Sequence, residues 1–347
     1  MSSDPLTYRD AGVDIDAQDA ALDAAKDAIR STFTPGVMSD VGLFGGLFDL
    51  TRLGLQDAIL VASADGVGTK LDVAKRAGVH DTVGRDLVQH CINDILAQGA
   101  RPLFFMDYVG TGKLEPNVVA DLIRGCAEAC RDHGAALLGG ETAEMPGLYA
   151  AGDFDLVGFI VGAVERERVL DGSQVRAGQV LLGLESDGLH TNGYSLARKV
   201  CFDRLGLELD SAPDELGGRT IQEALLAPHR CYLEPLWPQL QAGRVAALPH
   251  ITGGGLPGNV NRVLGDRLDA VIDRSSWTVP GLFELLVRGG DVPRDEAYRA
   301  FNMGIGLVVV VEPEEADRVA GELAAAGERV HRIGELVAGT GEVRWAD

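Results

Sequence analysis

Apolar residues occur along this chain in short continuous runs and in longer stretches that repeat every three or four positions. The runs have the length and composition of buried strands, and they lie at residues 59–62, 103–109, 135–138, 154–164, 180–184 and 305–311. The stretches with helical spacing lie at residues 14–30, 83–98, 116–133 and 314–326. Because the two kinds of segment alternate, the pattern predicts an α/β fold of α+β-like character.

One apolar run, residues 59–62, leads into the sequence Asp65-Gly66-Val67-Gly68-Thr69-Lys70. The composition predicts that the strand stops at Ser63, just before this group of polar and glycine residues. Glycines let a backbone approach an anion, backbone N–H groups can surround that anion, and Mg²⁺ prefers one or two carboxylates together with phosphate oxygens. The stretch is therefore either a site for a metal-bound phosphate or an ordinary tight turn with a solvated Asp and Lys.

Two common nucleotide-binding loops do not fit the chain. A Walker A loop ends in Gly-Lys, whereas Lys70 follows Thr69 here, so a P-loop NTPase is disfavoured. Residues 253–258 match the spacing G-x-G-x-x-G, but Pro249 interrupts the apolar run that precedes them. No clean strand feeds that loop, and we therefore do not predict a dinucleotide-binding fold.

A turn-rich stretch at residues 171–178 predicts a boundary between two domains, residues 1–170 and residues 171–347. Two domains of about 150 residues each are also what a chain of this length favours. Beyond the boundary, the run at residues 180–184 leads to a polar, glycine-containing turn that opens a helix within residues 186–196. A helix N-terminus after such a turn suits an anion.

The net charge, the lack of a long apolar run and the spacing of the cysteines exclude several classes of partner and location. A formal net charge of −21 leaves no basic surface for nucleic acid or for an anionic membrane. The first ten residues are polar and no run of about 18 apolar residues exists, so we expect neither a signal peptide nor a membrane span and place the chain in the cytoplasm. Without a C-x-x-C pair, we expect the five cysteines to be small buried hydrophobes: Cys91, Cys126, Cys130, Cys201 and Cys231.

Three acidic residues are the candidate metal ligands. Asp65 is predicted to follow a strand, Asp94 lies on the polar face of a helix, and Glu141 follows a strand that Gly139 and Gly140 are predicted to break. Carboxylates at separate strand and helix ends can converge on one or two Mg²⁺ ions that bridge nucleotide phosphates. Each carboxylate alone would more simply be solvated or a helix cap, but their glycine-rich neighbours favour the joint interpretation.

The candidates for substrate contacts lie in polar loops. His190 and His250 stand beside glycines and near the amide and hydroxyl groups of Asn192 and Thr252. A lone loop histidine is usually a surface hydrogen-bonding residue, yet this mixture suits a polar, phosphorylated substrate. No Ser or Cys accompanies them in a His-Asp arrangement, so covalent nucleophilic catalysis has no support. Lys26, on the first predicted helix, is either a phosphate contact or a solvated lysine.

Six motifs, in order along nearly the whole chain, carry a closer resemblance. They are TYRDAGVDID (residues 7–16), DGVGTK (65–70), CINDI (91–95), GGETAEMPG (139–147), GLHTNGYS (188–195) and HITGGG (250–255). They closely resemble the phosphoribosylformylglycinamidine cyclo-ligase family, the aminoimidazole ribonucleotide synthetases of purine biosynthesis. Several long motifs in a fixed order are far more specific than any single short pattern.

The resemblance implies a homodimer in the ATP-using superfamily that also contains selenophosphate synthetase and thiamine-phosphate kinase. In that fold the N-terminal sheets of two protomers join as a β-barrel, and a C-terminal α/β domain packs outside it. ATP would phosphorylate the formyl amide oxygen of formylglycinamidine ribonucleotide, and the resulting iminophosphate would close to the imidazole with release of phosphate. The base for ring closure stays open, as does a need for K⁺.

The resemblance also assigns roles by motif. It implies that Mg²⁺ is held by Asp65, Asp94 and Glu141. It implies that the phosphates of ATP are lined by Gly66, Gly68, Thr69 and Lys70. It implies that the substrate faces His190, Asn192, His250, Thr252 and Gly253. The two catalytic candidates are His190 and Lys26.

The sister families fit less well. Selenophosphate synthetase is expected to have a reactive Cys near its N-terminus, and the first cysteine here is Cys91. Thiamine-phosphate kinase is expected to have Gly-Gly-Asp where this chain has Gly140-Glu141-Thr142. The larger formylglycinamidine ribonucleotide synthetase normally repeats the two-domain unit, and nothing repeats here. The hydrogenase-maturation protein, a non-enzymatic alternative, should end in cysteine, whereas this sequence ends in Trp345-Ala346-Asp347.

Overall fold

A computed structural model describes residues 15–40, 46–55 and 57–346. The chain forms two compact units. The first contains the described parts of residues 1–57 together with residues 62–91 and 102–162, and the second contains residues 58–61, 92–101 and the described part of 163–347. The predicted boundary at residues 170 and 171 stays a prediction. Most of the motif at residues 7–16 lies outside the described residues.

The elements alternate along the described chain. The helices are α1 Ile15–Arg30, α2 Lys70–Ala77, α3 Asp81–Leu96, α4 Pro116–Asp132, α5 Tyr194–Arg198, α6 Ile221–Leu225, α7 Leu233–Gln241, α8 Gly255–Val260, α9 Gly281–Gly290, α10 Arg294–Ala300 and α11 Pro313–Ala325. The strands are β1 Ala58–Gly66, β2 Arg101–Thr111, β3 Ala136–Glu144, β4 Phe154–Glu165, β5 Val180–Glu185, β6 Val245–Ala247, β7 Leu268–Ile272, β8 Ile305–Val311, β9 Val330–Ala338 and β10 Val343–Trp345. The four helices predicted from spacing are confirmed within two residues at each end.

Two predicted strand ends are wrong. Strand β1 continues past Ser63 to Gly66, and β3 continues through its glycines to Glu144, so Asp65 and Glu141 lie inside strands rather than after them. The ladder between β2 and β3 explains the second case, because it pairs the two strands in parallel to their last residues. Gly140 lies opposite Asp107 in this ladder, and a Cβ on Gly140 would be 2.5 Å from the Asp107 carboxyl oxygen. The glycine permits close packing and does not break the strand.

The first sheet has the strand order β1-β4-β2-β3. One face of it is packed, since a Cβ on Gly158 of β4 would collide with Phe105 of β2 and with Leu87 of α3. The neighbouring positions along β4 and β2, among them Phe159 and Phe104, point to the opposite face because side chains alternate along a strand. Phe48 packs on Phe104, with ring centroids 5.2 Å apart. The sheet therefore has one covered face and one face that is covered only in part.

Helices α3 and α4 cross at glycines. A Cβ added to Gly84 of α3 would collide with the carbonyl oxygen of Leu122, and one added to Gly125 of α4 would collide with the carbonyl oxygen of Asp81. The two backbones are therefore in direct contact at the crossing. This contact sets the position of α3 on the sheet, and α3 carries part of the chemistry described below.

The second sheet has the order β10-β7-β9-β5-β8-β6. Its described pairings are antiparallel except for the parallel pair of β10 and β7. Strand β8 lies between two neighbours, and all seven of its residues are buried, which is why residues 305–311 are continuously apolar. Because β6 pairs with β8 in the antiparallel direction, residues 245–260 do not form the parallel unit of a dinucleotide-binding fold.

Neither of these two sheets closes on itself within the described part of the chain. The fold that results is a mixed α/β architecture in two parts, as the sequence predicts at this coarse level. Across the described residues, no helix combines the length and the apolar character needed to pass through a bilayer.

We expect Gly125→Ala to lower the free energy of unfolding by about 1–3 kcal/mol or more, because overpacking a tight contact forces the backbones apart. Gly321→Ala in α11 is the matched control, since nothing lies within 4 Å of a Cβ at that helical position. The control should gain up to about 1 kcal/mol from helix propensity. Urea unfolding followed by circular dichroism measures both. Equal stability of the two variants would show that α3 and α4 are not in backbone contact.

Candidate functional site

The carboxylate of Asp65 is oriented by two contacts in the first unit. One oxygen lies 2.7 Å from Nε2 of the buried His90 on α3, and the other accepts a 2.7 Å hydrogen bond from the N–H of Gly66. The side chain nevertheless stays 43% exposed. An oriented carboxylate that is open to solvent has the chemistry that a hard cation such as Mg²⁺ requires.

The glycine-rich loop after Asp65 leads directly into α2. Gly68 has φ +66°, a left-handed conformation that favours glycine, and both Gly68 and Thr69 are exposed. Thr69 is the N-terminal cap residue of α2, whose first residue is Lys70. Gly66 ends β1, so the loop joins a strand end to a helix N-terminus, an arrangement that suits a phosphate.

The side chain of Lys70 is held in the interior. Its ammonium is fully buried and lies 2.6 Å from the carboxylate of Asp86 on α3, which is also fully buried. Burial lowers the pKa of Lys70, and the charge of Asp86 opposes that effect. In this structure the lysine therefore presents its backbone, not its ammonium, to the loop.

Glu141 is exposed on β3, at the far edge of the first sheet from Asp65. Strands β4 and β2 lie between the two carboxylates, and three strand spacings amount to roughly 14 Å. Within this sheet, Asp65 and Glu141 are thus too far apart to share one cation. The other candidate of the first unit, Lys26 on α1, is half-exposed and lies 3.6 Å from Asp23.

Asp94 and His250 come together in the second unit. The Asp94 carboxylate lies 2.8 Å from Nδ1 of His250, which is buried. The preceding residue, Asn93, is fully buried and holds a neighbouring loop: its side-chain amide donates to the carbonyl of Arg230 at 2.7 Å and accepts from the N–H of Tyr232 at 3.0 Å. Asn93 and Asp94, which belong to the second unit, are therefore each in contact with a loop of that unit.

His190 is a buried residue with an unusual backbone. Its φ of +61° is rare for any residue other than glycine, and only 1% of its surface is exposed. Its Nε2 accepts backbone N–H groups of Asp187 and Arg230 at 3.3 and 3.4 Å. The space for this ring depends on Gly306, where a Cβ would meet the His190 ring and Tyr232. Through these two Nε2 contacts, His190 connects its own loop, which contains Asp187, to the loop that contains Arg230.

Asn192, Gly253 and Thr252 form the more accessible part of these loops. A Cβ on Gly253 would lie 3.5 Å from the Asn192 oxygen, so the two residues are neighbours. The buried Nδ2 of Asn192 has no hydrogen-bond partner within the described chain, as a ligand-binding amide would. The side-chain amide of Asn259 donates to the carbonyls of Thr252, Gly253 and Gly255 and so shapes this loop.

Several of these residues are not identifiable from sequence. Asp86, Asn259 and His229 act through contacts with residues distant in the chain or through the shape of a loop, and nothing in their local sequence marks them. His229 is fully buried and contacts both His250 and His190. A histidine between Pro228 and Arg230 carries no pattern of its own. All five cysteines are free thiols. Four of them are buried, as predicted, whereas Cys231 is only partly buried.

Comparison with known proteins defines the class first. The family model described as AIR synthase related protein, N-terminal domain, matches residues 49–164, and the C-terminal domain model matches residues 176–346. The fold is similar to that of thiamine-monophosphate kinase from Stenotrophomonas maltophilia, with a TM-score of 0.71, 19% identity, and 93% and 96% of the two chains covered. It is also similar to the hydrogenase maturation protein HypE in complex with ATP, with a TM-score of 0.62, 18% identity, and 95% and 91% coverage.

Closer relatives define the family within this class. The chain is 52% identical over 337 residues to a phosphoribosylformylglycinamidine cyclo-ligase of Anaeromyxobacter sp. (strain Fw109-5), with 97% of each chain covered. It is 52% identical over 334 residues to the protein of that name from Sorangium cellulosum (strain So ce56), with 96% of this chain and 95% of the relative covered. The chain belongs to the phosphoribosylformylglycinamidine cyclo-ligase family. The resemblance predicted from the six motifs is confirmed, as is the prediction of an enzyme.

The buried carboxyl of Asp107 predicts a dependence of stability on pH. Burial raises its pKa to about 7, whereas an unfolded chain has the ordinary value near 3.9. The folded state thus binds the proton more tightly, so this stabilising contribution is complete below about pH 4 and is lost as the pH rises through about 7. A shift of about three units corresponds to a stability loss on the order of 4 kcal/mol.

As the pH rises from 5 to 8, we therefore expect the free energy of unfolding of Asp107→Asn to increase relative to that of the parent. The difference should grow by about 1.4 kcal/mol per pH unit wherever the carboxyl is protonated in the folded state and ionised in the unfolded state. Urea unfolding at several pH values measures this difference. Asp121→Asn, on the exposed side of α4, is the control and should follow the parent. If the curves of Asp107→Asn and the parent are parallel, the carboxyl is not protonated near neutral pH.

Proposed function

We propose that this chain converts formylglycinamidine ribonucleotide to 5-aminoimidazole ribonucleotide with ATP, releasing ADP and phosphate, in purine biosynthesis. The observation that carries the proposal is the match of 52% identity over 97% of both chains to a cyclo-ligase. The geometry of Asp65 and the glycine-rich loop supports it, because an accessible carboxylate precedes a strand-to-helix turn suited to phosphate.

The reaction needs a better leaving group on the formyl carbon. ATP transfers its γ-phosphoryl group to the formyl amide oxygen while the amide nitrogen loses its proton, which gives an iminophosphate and ADP. The neighbouring amidine nitrogen attacks the carbon, the C–O bond breaks with loss of phosphate, and a proton leaves the nitrogen as the imidazole forms. Such chemistry asks the protein mainly for positioning and for electrostatic stabilisation of the transferring phosphoryl group.

Asp65, Asp94 and Glu141 are the residues that we propose for Mg²⁺. The exposed oxygens of Asp65 fit a hard cation, and so does the partly exposed carboxylate of Asp94. When bound, Mg²⁺ would neutralise charge on the nucleotide phosphates. The separation of Asp65 and Glu141 across the first sheet favours more than one ion. The backbone of residues 66–70 would line the phosphates.

The substrate contacts that we propose are in the second unit. Asn192 offers a buried amide, and Thr252 and Gly253 offer a loop shaped by Asn259. His250 and His190 would act less directly, since both are buried and their ring nitrogens contact protein groups. Lys26 stays a proposed phosphate contact on the strength of its place on the first helix, since it lies in none of the six motifs.

A homodimer is the assembly that we propose, with the first sheets of two protomers joined as a barrel. The partly covered face of that sheet carries exposed apolar side chains, including Leu60 on β1 and Phe159 on β4. Ala62 and Ala64 lie on the same side of β1 as Leu60 and are exposed too. A second copy of the chain would bury this face. Five free thiols also suit the reducing cytoplasm, which we retain as the compartment.

An assay that scores ADP and diazotisable aminoimidazole from ATP, Mg²⁺ and formylglycinamidine ribonucleotide tests the function. We expect the two products in equal amounts, and we expect Asp65→Asn to lose at least about 10²-fold in turnover because charge stabilisation at a phosphoryl group is lost. The control is Asp121→Asn, whose carboxylate is similarly exposed, at 38% against 43%.

Other outcomes of this assay are informative. ADP without aminoimidazole would refute the substrate assignment, and thiamine phosphate would then be the next substrate to test. No ADP from folded protein would refute the ATP-using function. A rate that is unchanged when K⁺ is omitted would exclude a requirement for that ion.

We expect Phe159→Glu to convert a dimer to a monomer, because the substitution places a charge on the apolar face of β4. Leu205→Glu is the control, since Leu205 is equally exposed, at 38%, and lies outside this sheet. Sedimentation velocity measures both variants. A parent that sediments as a monomer, or a Phe159→Glu variant that stays dimeric, would contradict the proposed interface.

A further inference from the structure

His229 joins three polar groups inside the second unit. It lies in the loop between α6 and α7 and is fully buried. Its Nε2 is 3.2 Å from Nε2 of His250, and its Nδ1 is 3.4 Å from the hydroxyl of Thr191. Its ring also stacks on that of His190, with centroids 4.0 Å apart and planes inclined by 25°.

The partners determine where the protons are. A carboxylate only accepts hydrogen bonds, so the 2.8 Å contact to Asp94 places a proton on Nδ1 of His250. With both rings neutral, Nε2 of His250 then accepts, and Nε2 of His229 must donate to it. The Nδ1 of His229 is left to accept from the Thr191 hydroxyl. The hydrogen bonds therefore run in one direction, from Thr191 through the two histidines to Asp94.

This chain of hydrogen bonds connects the two loops to which the proposed function assigns the substrate. Thr191 lies between His190 and Asn192 in one loop, and His250 begins the other, which continues to Gly253. His190 makes a different connection, since its Nε2 accepts the backbone N–H groups of Asp187 and Arg230. His229 contacts both loops, one through each of its ring nitrogens.

We infer that His229 is a positioning residue of the proposed reaction: it donates to Nε2 of His250 and accepts from the hydroxyl of Thr191, and so holds the two substrate loops at a fixed distance from each other. The inference rests on the proposed function for its consequence in catalysis. Its structural part, the pair of hydrogen bonds made by His229, does not depend on that function. Displacement of a substrate by about 1 Å can cost about 10²-fold in rate, which sets the size of the expected effect.

Two variants separate the hydrogen bonds from the volume of the ring. His229→Phe retains a planar ring for stacking but removes both hydrogen bonds. His229→Gln retains a side-chain N–H that can donate to His250. We expect kcat/KM for formylglycinamidine ribonucleotide to fall about 10²-fold in the Phe variant. In the Gln variant it should be at least tenfold higher than in the Phe variant. The KM for ATP should change less than twofold in both.

The control is His331→Phe on β9, which removes a histidine bonded to Glu185 at 2.8 Å in the same unit. In this variant, kcat/KM for formylglycinamidine ribonucleotide and KM for ATP should both stay within twofold of the parental values. Nitrogen-15 spectra of labelled histidine give the second readout. They should show His250 protonated on Nδ1 in the parent and in both variants, because Asp94 holds that proton. The Nε2 resonance of His250 should shift in His229→Phe, where this nitrogen loses its donor, and should stay near the parental value in His229→Gln.

The outcomes are distinguishable. Parental kcat/KM in His229→Phe, or a parent in which Nδ1 of His250 carries no proton, would overturn the inference. Equal changes in the kinetic constants for formylglycinamidine ribonucleotide and for ATP, together with lowered stability, would show that His229 has only a structural role. That result would also overturn the inference. If His229→Phe does not fold, the spectrum and kcat/KM of His229→Gln decide. A parent that forms no aminoimidazole refutes the proposed function, and the spectra still test the tautomer.

Discussion

The buried ion pair of Lys70 and Asp86 is the interaction on which the geometry of the first unit depends. Taking two charges out of water is costly, and their 2.6 Å contact offsets that cost only while both are in place. Loss of one partner from such a pair typically costs about 3–5 kcal/mol. Because Lys70 is the first residue of α2, the pair fixes the start of that helix against α3 and with it the glycine-rich loop.

Helix α3 connects the buried ion pair to the candidate metal ligand Asp65. Its N-terminal half is held by the glycine crossing with α4 and by Asp86, and His90, one turn after Asp86, contacts Asp65. The carboxylate is thereby oriented before any ligand arrives. The proposed reaction asks mainly for positioning and electrostatic stabilisation of a phosphoryl group, and an Asp65 carboxylate oriented in advance would serve it in that way. Rigidity in the core of this unit and chemistry at its surface thus have the same origin.

The second unit uses a different device. Its loops are held by buried polar side chains, each with several partners: Asn93, Asn259, His190 and His229. Buried polar groups that are fully paired define one arrangement, because any other arrangement would leave donors or acceptors unsatisfied. The left-handed backbone of His190 shows that this arrangement is maintained even where the local conformation is unfavourable.

The sequence determined the helices, the apolar strands and the family. Spacing alone located α1, α3, α4 and α11, since an amphipathic helix must bury one stripe of residues. The motifs identified the family because several long motifs in a fixed order are far more specific than any single short pattern. The sequence did not predict where the strands end, because glycine normally interrupts a strand. Only the pairing of β2 with β3 showed that Gly140 makes room for Asp107.

Tertiary structure also decided what the candidate residues contact. Lys70 in a phosphate-like motif was expected to face the ligand, yet its charge is buried on Asp86, a partner sixteen residues away whose position depends on the packing of α3. His229, with no motif, proved to contact both candidate loops. A sequence specifies residue types at positions along the chain. Which polar groups meet in the interior depends on distances between segments that only the packed fold sets.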